Sequence, residues 1–261
     1  MFEAGAVASL NPFIAETLRD VMDPHTRQSL LEGKEADFVE NELGSGSDYT
    51  VFLNFLGIPI VGMAFDGPYG VYHSRYDNYD WMARFGDPGF RYMTAMGEVW
   101  GRMALRLANA DLHPFDFTVY ATRVGDFIAA LAERPEAKEH LDLGPLREAQ
   151  RAWLAAAQRI ERAVSPLLGN GSARERLAAV NRALLDVERQ LLLEEGIPGR
   201  PWFKHALYAP RFTYAAMTLP GIEEALDEGD WPRAQHQVAR LAARLTAVAE
   251  ALDVATHVAR P

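Results

Sequence analysis

The sequence predicts a mainly α-helical protein, in which an incomplete α/β segment is followed by an up-and-down four-helix bundle. Two observations support this. Up to about residue 112 the chain mixes Gly and Pro with aromatic residues and has one clear strand pattern, whereas the rest is rich in Ala, Leu, Arg and Glu at helical spacing. We place the boundary at Leu112-His113-Pro114, because proline removes a backbone donor and ends the preceding helix. The predicted domains are therefore residues 1–112 and 113–261.

The first domain is predicted to contain short helices around one buried strand. A helix should begin at Asn11, because Asn is a favoured N-cap and a proline follows it. A second helix is predicted from Tyr49 to Leu56. Residues Ile58 to Phe65 form the strongest strand pattern, and their near-continuous apolarity predicts burial on both faces. Asp77 is predicted to cap a further helix, and a long helix should run from about Pro88 to Ala110.

The second domain is predicted to consist of four main helices, at about 115–133, 143–168, 172–195 and 230–258. The third should begin at Ser172, which precedes Glu175 by the spacing of a capping box. The stretch 196–229 contains several prolines and is predicted to be irregular. Long irregular segments inside a compact domain usually serve a function or wrap another element.

The composition excludes several classes of function. The chain has 261 residues, 26 Lys and Arg against 36 Asp and Glu, and no cysteine. A net charge of −10 without a basic cluster argues against a nucleic-acid partner, and the lack of Cys excludes thiolate chemistry. Charged residues interrupt every apolar run well before the ~20 residues of a membrane span. No signal peptide is evident, and the start of the chain is expected to be truncated.

His73 is the histidine whose context most indicates function. It follows the apolar strand and a glycine-containing loop, and Tyr72 and Ser74 flank it. Side chains just beyond strand ends are where α/β folds place ligand groups. Five other histidines lie in polar or helix-end contexts without a second metal ligand at helical spacing: His25, His113, His140, His236 and His257. Metalloprotease, nucleophile-elbow, phosphate-loop and dinucleotide motifs do not occur.

A series of short motifs follows a fixed order along nearly the whole chain. They are Leu43-Gly44-Ser45-Gly46-Ser47-Asp48-Tyr49-Thr50-Val51-Phe52, Leu56-Gly57-Ile58, Tyr72-His73-Ser74-Arg75-Tyr76-Asp77, Asp87-Pro88, Leu107-Ala108-Asn109, Pro114-Phe115-Asp116, Glu188-Arg189, Gly196-Ile197-Pro198, Arg200-Pro201-Trp202-Phe203-Lys204-His205, Tyr208-Ala209-Pro210 and Leu219-Pro220-Gly221-Ile222. In content and order these motifs resemble the glutamate carboxypeptidase II / transferrin receptor family.

The resemblance implies a specific architecture. The enzymes of this family are zinc carboxypeptidases with an α/β/α catalytic domain, an inserted apical domain and a C-terminal helical dimerisation domain. The chain resembles the end of the catalytic domain and the whole helical domain. The histidine of the family's Tyr-His-Ser motif is the last ligand of a two-zinc site, which implies that His73 is a zinc ligand. The other ligands and the general-base Glu would lie upstream of Met1.

Metal binding and activity are therefore expected only in a longer parent. A catalytic zinc generally has three protein ligands, so a chain with one of them should bind no zinc stably and should be inactive alone. The resemblance also implies a homodimer that forms through the helical domain. Relatives are mostly extracytoplasmic, but the compartment of this chain stays open.

The resemblance also implies a pocket for the peptide terminus. Its expected walls are Gly46, Ser47, Tyr72, Tyr214 and His205, although a structural hydrogen bond is an equal alternative for His205. Glutamate-preferring members have two Arg at positions that correspond here to Gly62 and Ala64, and a Lys at the position of Thr213. Without these charges an acidic substrate side chain loses its partners, so the parent should not favour a C-terminal glutamate.

Two functions compete, and a third possibility is a stand-alone dimerisation module that acts in trans on a separate catalytic half. The first is a C-terminal portion of a zinc carboxypeptidase. The second is a non-enzymatic module for dimerisation and partner binding, as in transferrin receptor. Retention of His73 favours the first, since a receptor needs no ligand histidine.

Overall fold

The computed structural model is mainly α-helical, which confirms the predicted fold class. It describes residues 2–6, 8–21, 39–40, 43, 47–65, 69–168, 173–211 and 215–260. The helices are α1 (Asn11–Val21), α2 (Tyr79–Trp81), α3 (Arg91–Asn109), α4 (Phe117–Glu133), α5 (Pro135–His140), α6 (Gly144–Val164), α7 (Arg174–Leu185), α8 (Pro220–Asp227) and α9 (Trp231–Ala259). The strands are β1 (Phe2–Ala6), β2 (Val39–Glu40), β3 (Val61–Phe65), β4 (Tyr208–Pro210) and β5 (Ala216–Thr218). None of the helices within these residues is long and apolar enough to cross a membrane.

Helix α9 is the centre of the bundle and packs against α6, α7 and α8, while α4 also packs against α6. Its buried residues recur every three or four positions, which places them on one face of the helix. They include Val238, Leu241, Leu245, Val248 and Leu252. The fully buried Trp153 of α6 contacts Tyr120 of α4 edge-on, with the ring centroids 5.0 Å apart. The four predicted main helices therefore share one apolar core.

Side-chain caps define where two bundle helices begin. The carboxylate of Asp116 accepts a hydrogen bond from the backbone N–H of Val119 (2.9 Å), and that of Asp230 accepts one from Arg233 (3.1 Å). The predicted cap of α7, Ser172, lies outside the described residues. Helix α7 ends at Leu185 rather than near 195, because the chain tightens there into a 3₁₀ turn, Glu188–Leu191.

The stretch 196–229 is more ordered than predicted. It contains an antiparallel hairpin of β4 and β5, in which Tyr208 pairs with Thr218, and it also contains α8. Two of the prolines on which the prediction of irregularity rested lie at an end of a strand or helix, where a missing backbone N–H costs no hydrogen bond within that element. Pro210 ends β4, and Pro220 occupies the first position of α8.

The N-terminal sheet has the order β2-β1-β3, with β1 parallel to β2 and antiparallel to β3. Strand β3 begins at Val61 rather than Ile58, and the prediction of burial on both faces is wrong. Val61, Gly62 and Met63 are half-buried and Ala64 is exposed. The reason is that β3 lies at the edge, where β1 is its one neighbouring strand among the described residues.

The helix after the His73 turn is capped by a different residue from the one predicted. The side chain of Asn78, not Asp77, accepts the hydrogen bond from the backbone N–H of Trp81, at 3.0 Å. Asn and Asp are nearly equal N-caps, so adjacent residues of these types are difficult to distinguish from sequence. The carboxylate of Asp77 instead accepts from the backbone N–H of His73.

The carboxylate of Asp87 caps α3. Its two oxygens accept hydrogen bonds from the backbone N–H groups of Tyr92 (3.2 Å) and Met93 (2.9 Å). Burial alone would raise the pKa of Asp87. The hydrogen bonds from the backbone N–H groups of Met93, Tyr92 and Arg91 lower it, as does the Arg91 guanidinium. Together they outweigh burial and hold the pKa below its ordinary value of 3.8. The carboxylate therefore stabilises α3 in its charged form.

We expect Asp87→Asn to lower stability at neutral pH by weakening this cap. A lowered folded-state pKa contributes stability that is present above 3.8 and lost as pH falls through the folded value. The variant and the parent chain should therefore converge in acid. Urea unfolding followed by circular dichroism at neutral and acid pH measures this, with Asp111→Asn on the exposed surface as the control. An equal difference at both pH values would contradict the role of the charged cap.

Candidate functional site

His73 stands on a tight turn between β3 and α2, with its side chain exposed. Its backbone has a φ of 55°, in the left-handed region that residues other than glycine seldom adopt. The imidazole stacks on the ring of Tyr72, with the centroids 3.9 Å apart and the planes 17° from parallel. The structure thus presents this imidazole at the surface on a constrained backbone.

Hydrogen bonds within residues 71–78 hold the His73 turn. The backbone N–H of Ser74 donates to the carbonyl of Val71 (2.8 Å), and the N–H of Tyr76 donates to Oγ of Ser74 (3.1 Å). Oδ2 of Asp77 accepts from the backbone N–H of His73 at 3.2 Å. Asp77 therefore fixes the backbone of His73.

Ser47 lies at the start of the helical segment predicted at Tyr49–Leu56, where the structure has a π-helical turn, Val51–Phe55. Its carbonyl accepts hydrogen bonds from the backbone N–H of Thr50 (3.2 Å) and from the Thr50 hydroxyl (2.8 Å). Ser47 itself is exposed. Gly46, its predicted neighbour in the pocket wall, lies outside the described residues.

The segment that follows Ser47 packs against the segment that carries His205. The ring of Phe55 stacks on Trp202 with the centroids 5.6 Å apart, and Nζ of Lys204 lies 4.4 Å from the centre of the Phe55 ring. The backbone N–H of Lys204 donates to the carbonyl of Asn54 at 2.8 Å. Two predicted pocket segments, far apart in sequence, are therefore in contact.

His205 is fully buried and belongs to a polar cluster that we call the Glu188 cluster, consisting of Tyr120, Glu188, His205 and Tyr208. Nε2 of His205 lies 2.9 Å from Oε1 of Glu188, and the Tyr120 hydroxyl donates to the same oxygen at 2.8 Å. Nδ1 of His205 accepts from the backbone N–H groups of Leu207 (3.2 Å) and Tyr208 (3.3 Å). This assigns the ring proton to Nε2, which donates it to Glu188.

Both phenols of the Glu188 cluster remain protonated. Burial raises the pKa of Tyr120 well above its ordinary value, and the Glu188 carboxylate raises it further. Burial and Glu188 also raise the pKa of Tyr208. Tyr120 can therefore donate a hydrogen bond to the carboxylate throughout the physiological pH range.

Arginine–carboxylate pairs fix the β4–β5 hairpin from the outside. Arg211, just after β4, pairs with Asp227 of α8, and Arg134 binds the same carboxylate at 3.0 Å. Arg200 donates to the carbonyl of Pro210 and pairs with Glu224. The hairpin is thus held both by buried polar contacts and by surface ion pairs. Tyr214, which was predicted in the pocket, lies outside the described residues.

The described part of the chain brings some predicted site residues together and not others. The segments of Ser47 and His205 meet, whereas the structure shows no contact of His73 with either. Within the described ranges, no three His, Cys, Asp or Glu side chains are grouped so that they could hold a metal ion. His73 is therefore not part of such a group in these ranges.

Sequence reasoning missed the Glu188 cluster as a unit. Glu188 entered only as part of a Glu-Arg motif, and neither tyrosine was singled out for a polar role. The hydrogen bond from Tyr120 joins residues 68 positions apart, and no local pattern encodes such a pairing. The available signal was that Glu188 falls on the apolar face that Leu184, Val187 and Leu191 define at helical spacing.

Comparison with known proteins places the chain among peptidase relatives. Residues 141–253 match the transferrin receptor-like dimerisation domain. The chain is 34% identical over 254 residues to the probable glutamate carboxypeptidase LAMP1 of Arabidopsis thaliana, and this match covers 92% of this chain and 37% of the relative. It is 32% identical over 239 residues to the probable glutamate carboxypeptidase VP8 of Zea mays, covering 86% and 33%. It is also 31% identical over 230 residues to the inactive zinc metalloprotease C354.09c of Schizosaccharomyces pombe, covering 82% and 29%. The chain thus spans about a third of the length of these curated relatives.

We expect Glu188→Ala to destabilise the protein by about 3 kcal/mol or more, because it leaves the buried donors of Tyr120 and His205 without an acceptor. Urea unfolding at neutral pH measures the loss. Glu188→Gln, which keeps an acceptor oxygen, should lose less. Asp186→Ala, which breaks an exposed pair with Arg189 on the same turn, is the matched control and should change little. Equal effects of the Glu188 and Asp186 substitutions would contradict the buried network.

Proposed function

Because the chain belongs to the glutamate carboxypeptidase II / transferrin receptor family and corresponds to its C-terminal part, we propose that it is a portion of a zinc metallopeptidase. In this proposal residues 1–112 are the end of the peptidase domain and residues 113–261 are the dimerisation domain. The chain supplies one metal ligand, part of the substrate pocket and the dimer interface. The observation that carries the proposal is the exposed His73, held in a left-handed backbone conformation within the family's Tyr-His-Ser motif.

His73 is proposed as a zinc ligand. Its imidazole is exposed, and Asp77 and Ser74 fix the backbone that carries it, so the side chain fits the role of one ligand. The described residues do not complete a metal site. When bound in such enzymes, zinc activates a water molecule and polarises the scissile carbonyl. We therefore propose that these 261 residues alone bind no zinc stably and have no peptidase activity.

The proposed pocket walls are Gly46, Ser47, Tyr72 and Tyr214. Ser47 and Tyr72 are exposed at the ends of ordered turns, which suits residues that contact a substrate. His205 is proposed to support the pocket wall without contacting the substrate, because its ring is buried. Its Nδ1 atom accepts hydrogen bonds from the backbone that leads into the β4–β5 hairpin. Its role is then to position the segment that precedes Tyr214.

The proposed parent does not prefer a C-terminal glutamate. Gly62 and Ala64 of β3 replace the two arginines of glutamate-preferring members, and neither can form an ion pair with an acidic side chain. Neutral substrates should therefore be cleaved at least as well as acidic ones. This preference belongs to the complete enzyme, since the chain covers about a third of its relatives.

The alternative is a non-enzymatic module for dimerisation and partner binding. The observation that favours it is that the Schizosaccharomyces pombe relative carries the name inactive zinc metalloprotease. The two functions differ in whether His73 contributes to zinc binding once the other ligands are supplied.

A chimera distinguishes them. In it, this chain replaces the matching part of the Arabidopsis relative, and bound zinc and peptidase activity are measured. We expect His73→Ala to reduce both strongly, because the metal loses a ligand, while His236→Ala on the exposed face of α9 leaves both unchanged. The 261-residue chain alone should retain well below one zinc per molecule. Full zinc content in the His73→Ala chimera would favour the non-enzymatic module.

We also expect the chain to be a homodimer, because its helical domain matches a family dimerisation domain. Sedimentation equilibrium at micromolar concentration measures the mass. A monomer across this range would contradict the proposed interface. The experiment is independent of zinc, so it tests the dimer under either function.

A further inference from the structure

A cavity of about 360 Å³ opens in the bundle between the start of α4, the end of α6 and the end of α7. Its floor is apolar and consists of the buried side chains of Phe117, Ala157, Ile160, Val164 and Leu184. Protein interiors contain few voids larger than a water molecule, whereas sites for small ligands begin at about 300 Å³. The cavity therefore has the size and the apolar floor of a small-ligand site.

The polar side chains at the rim of this cavity are acidic or neutral. Asp116 and Glu161 contribute carboxylates, Thr118 and Ser165 contribute hydroxyl groups, and the described lining includes no Lys, Arg or His. Among the residues that the structure describes, neither carboxylate forms an ion pair. Two unpaired negative charges at the mouth of an apolar cavity attract a cation and repel an anion.

Two helices end at the cavity. Val164 is the last residue of α6, and Leu184 is the next-to-last residue of α7. The C-terminal end of a helix carries a partial negative charge and favours a nearby cation. The basic residues of these two last turns, Arg162 and Arg182, do not line the cavity. The N-terminal end of α4 also lies here and would favour an anion, but the carboxylate of Asp116 already caps it.

Two aromatic rings give the cavity a surface that a cation can contact. Phe115 and Phe117 both line it, and their ring centroids are 5.6 Å apart. The face of a phenyl ring attracts an ammonium group within about 6 Å. The ring of His113 meets Phe115 edge-on at 5.9 Å. It adds no competing charge at neutral pH, because burial lowers the pKa of His113 below its ordinary value of 6.5.

We propose that this cavity binds a small organic cation, in which an ammonium group is carried by an apolar or aromatic body. The body covers the apolar floor, and the ammonium group lies at the rim, where the carboxylates of Asp116 and Glu161 and the helix ends attract it. Each part of the ligand thus meets a surface of matching chemistry. The inference does not rest on the proposed function, because it uses none of the residues proposed there as zinc ligand or pocket wall.

Three probes of similar shape and different charge test the proposal. The cation 2-phenylethylammonium, the neutral 2-phenylethanol and the anion phenylacetate are titrated into the purified 261-residue chain at neutral pH, and binding is measured by calorimetry and ligand-observed NMR. We expect the cation to bind with a Kd on the order of 0.1–1 mM, as suits a ligand of this size. The alcohol should bind at least about tenfold more weakly, because it lacks the charge. The anion should not bind measurably.

Substitutions at the rim locate the bound cation. Glu161→Gln removes one charge and keeps the size of the side chain, so it should weaken binding of the cation at least about fivefold and leave that of the alcohol unchanged. Thr118→Phe replaces a small lining side chain by a large one and should weaken binding of both. Glu148→Gln, on the exposed surface of α6 about three and a half turns away, is the matched control and should bind like the parent chain. None of these side chains is buried, so the urea midpoints should stay close to that of the parent.

Four results would overturn the proposal. The first is no binding of the ammonium probe to the parent chain. The second is equal affinity for all three probes, which would show apolar adsorption without recognition of charge. The third is unchanged affinity in both Glu161→Gln and Thr118→Phe, which would place the bound cation elsewhere. The fourth is a change in the mass of the chain in sedimentation caused by Glu161→Gln, which would make a basic side chain of a second copy the occupant.

Discussion

The architecture depends on one buried carboxylate. Glu188 is 2% exposed, and an ionised carboxylate at such a position is costly unless donors surround it. Tyr120 of α4 and His205 before β4 supply those donors, so three segments distant in sequence meet at one oxygen atom. Removing Glu188 leaves both donors without this acceptor, and removing Tyr120 or His205 takes one of the two donors from the buried carboxylate. The interaction therefore fixes how the β4–β5 hairpin lies against the bundle.

The two halves of the chain differ in how far their apolar surfaces are buried. In the bundle, α4, α6, α7 and α9 each bury their main apolar face against another of these helices, because the apolar positions fall on one side of each helix. In the N-terminal half, α3 buries one apolar face and exposes another, and β3 lies at the edge of a three-stranded sheet. The bundle helices thus cover one another's apolar faces, whereas in the described N-terminal half an apolar helix face and strand edges are exposed.

Local patterns predicted the helices and missed the long-range pairings. The apolar periodicity of α9 predicted its bounds to within a residue or so, because each buried position recurs within the helix itself. The strands β4 and β5 have three residues each, too few for an alternating pattern to emerge, and Pro210 of β4 resembled a loop residue. For the site, sequence context singled out His73, and the resemblance supplied its role. The burial of His205 depends on partners 17 and more positions away, which local spacing cannot indicate.

The backbone conformation of His73 bears on the metal-ligand role that we propose for it. Three residues other than glycine have a positive φ in the described part of the chain: His73, Phe90 and Leu219. Phe90 and Leu219 each stand directly before a helix, α3 and α8, where the chain must change direction to begin the first turn. His73 precedes no helix, and a left-handed conformation costs about 1–2 kcal/mol for a residue with a Cβ atom. The carboxylate of Asp77 and the turn at Ser74 hold it there. Backbone strain of this kind clusters at functional sites, so it supports the role that we propose for His73.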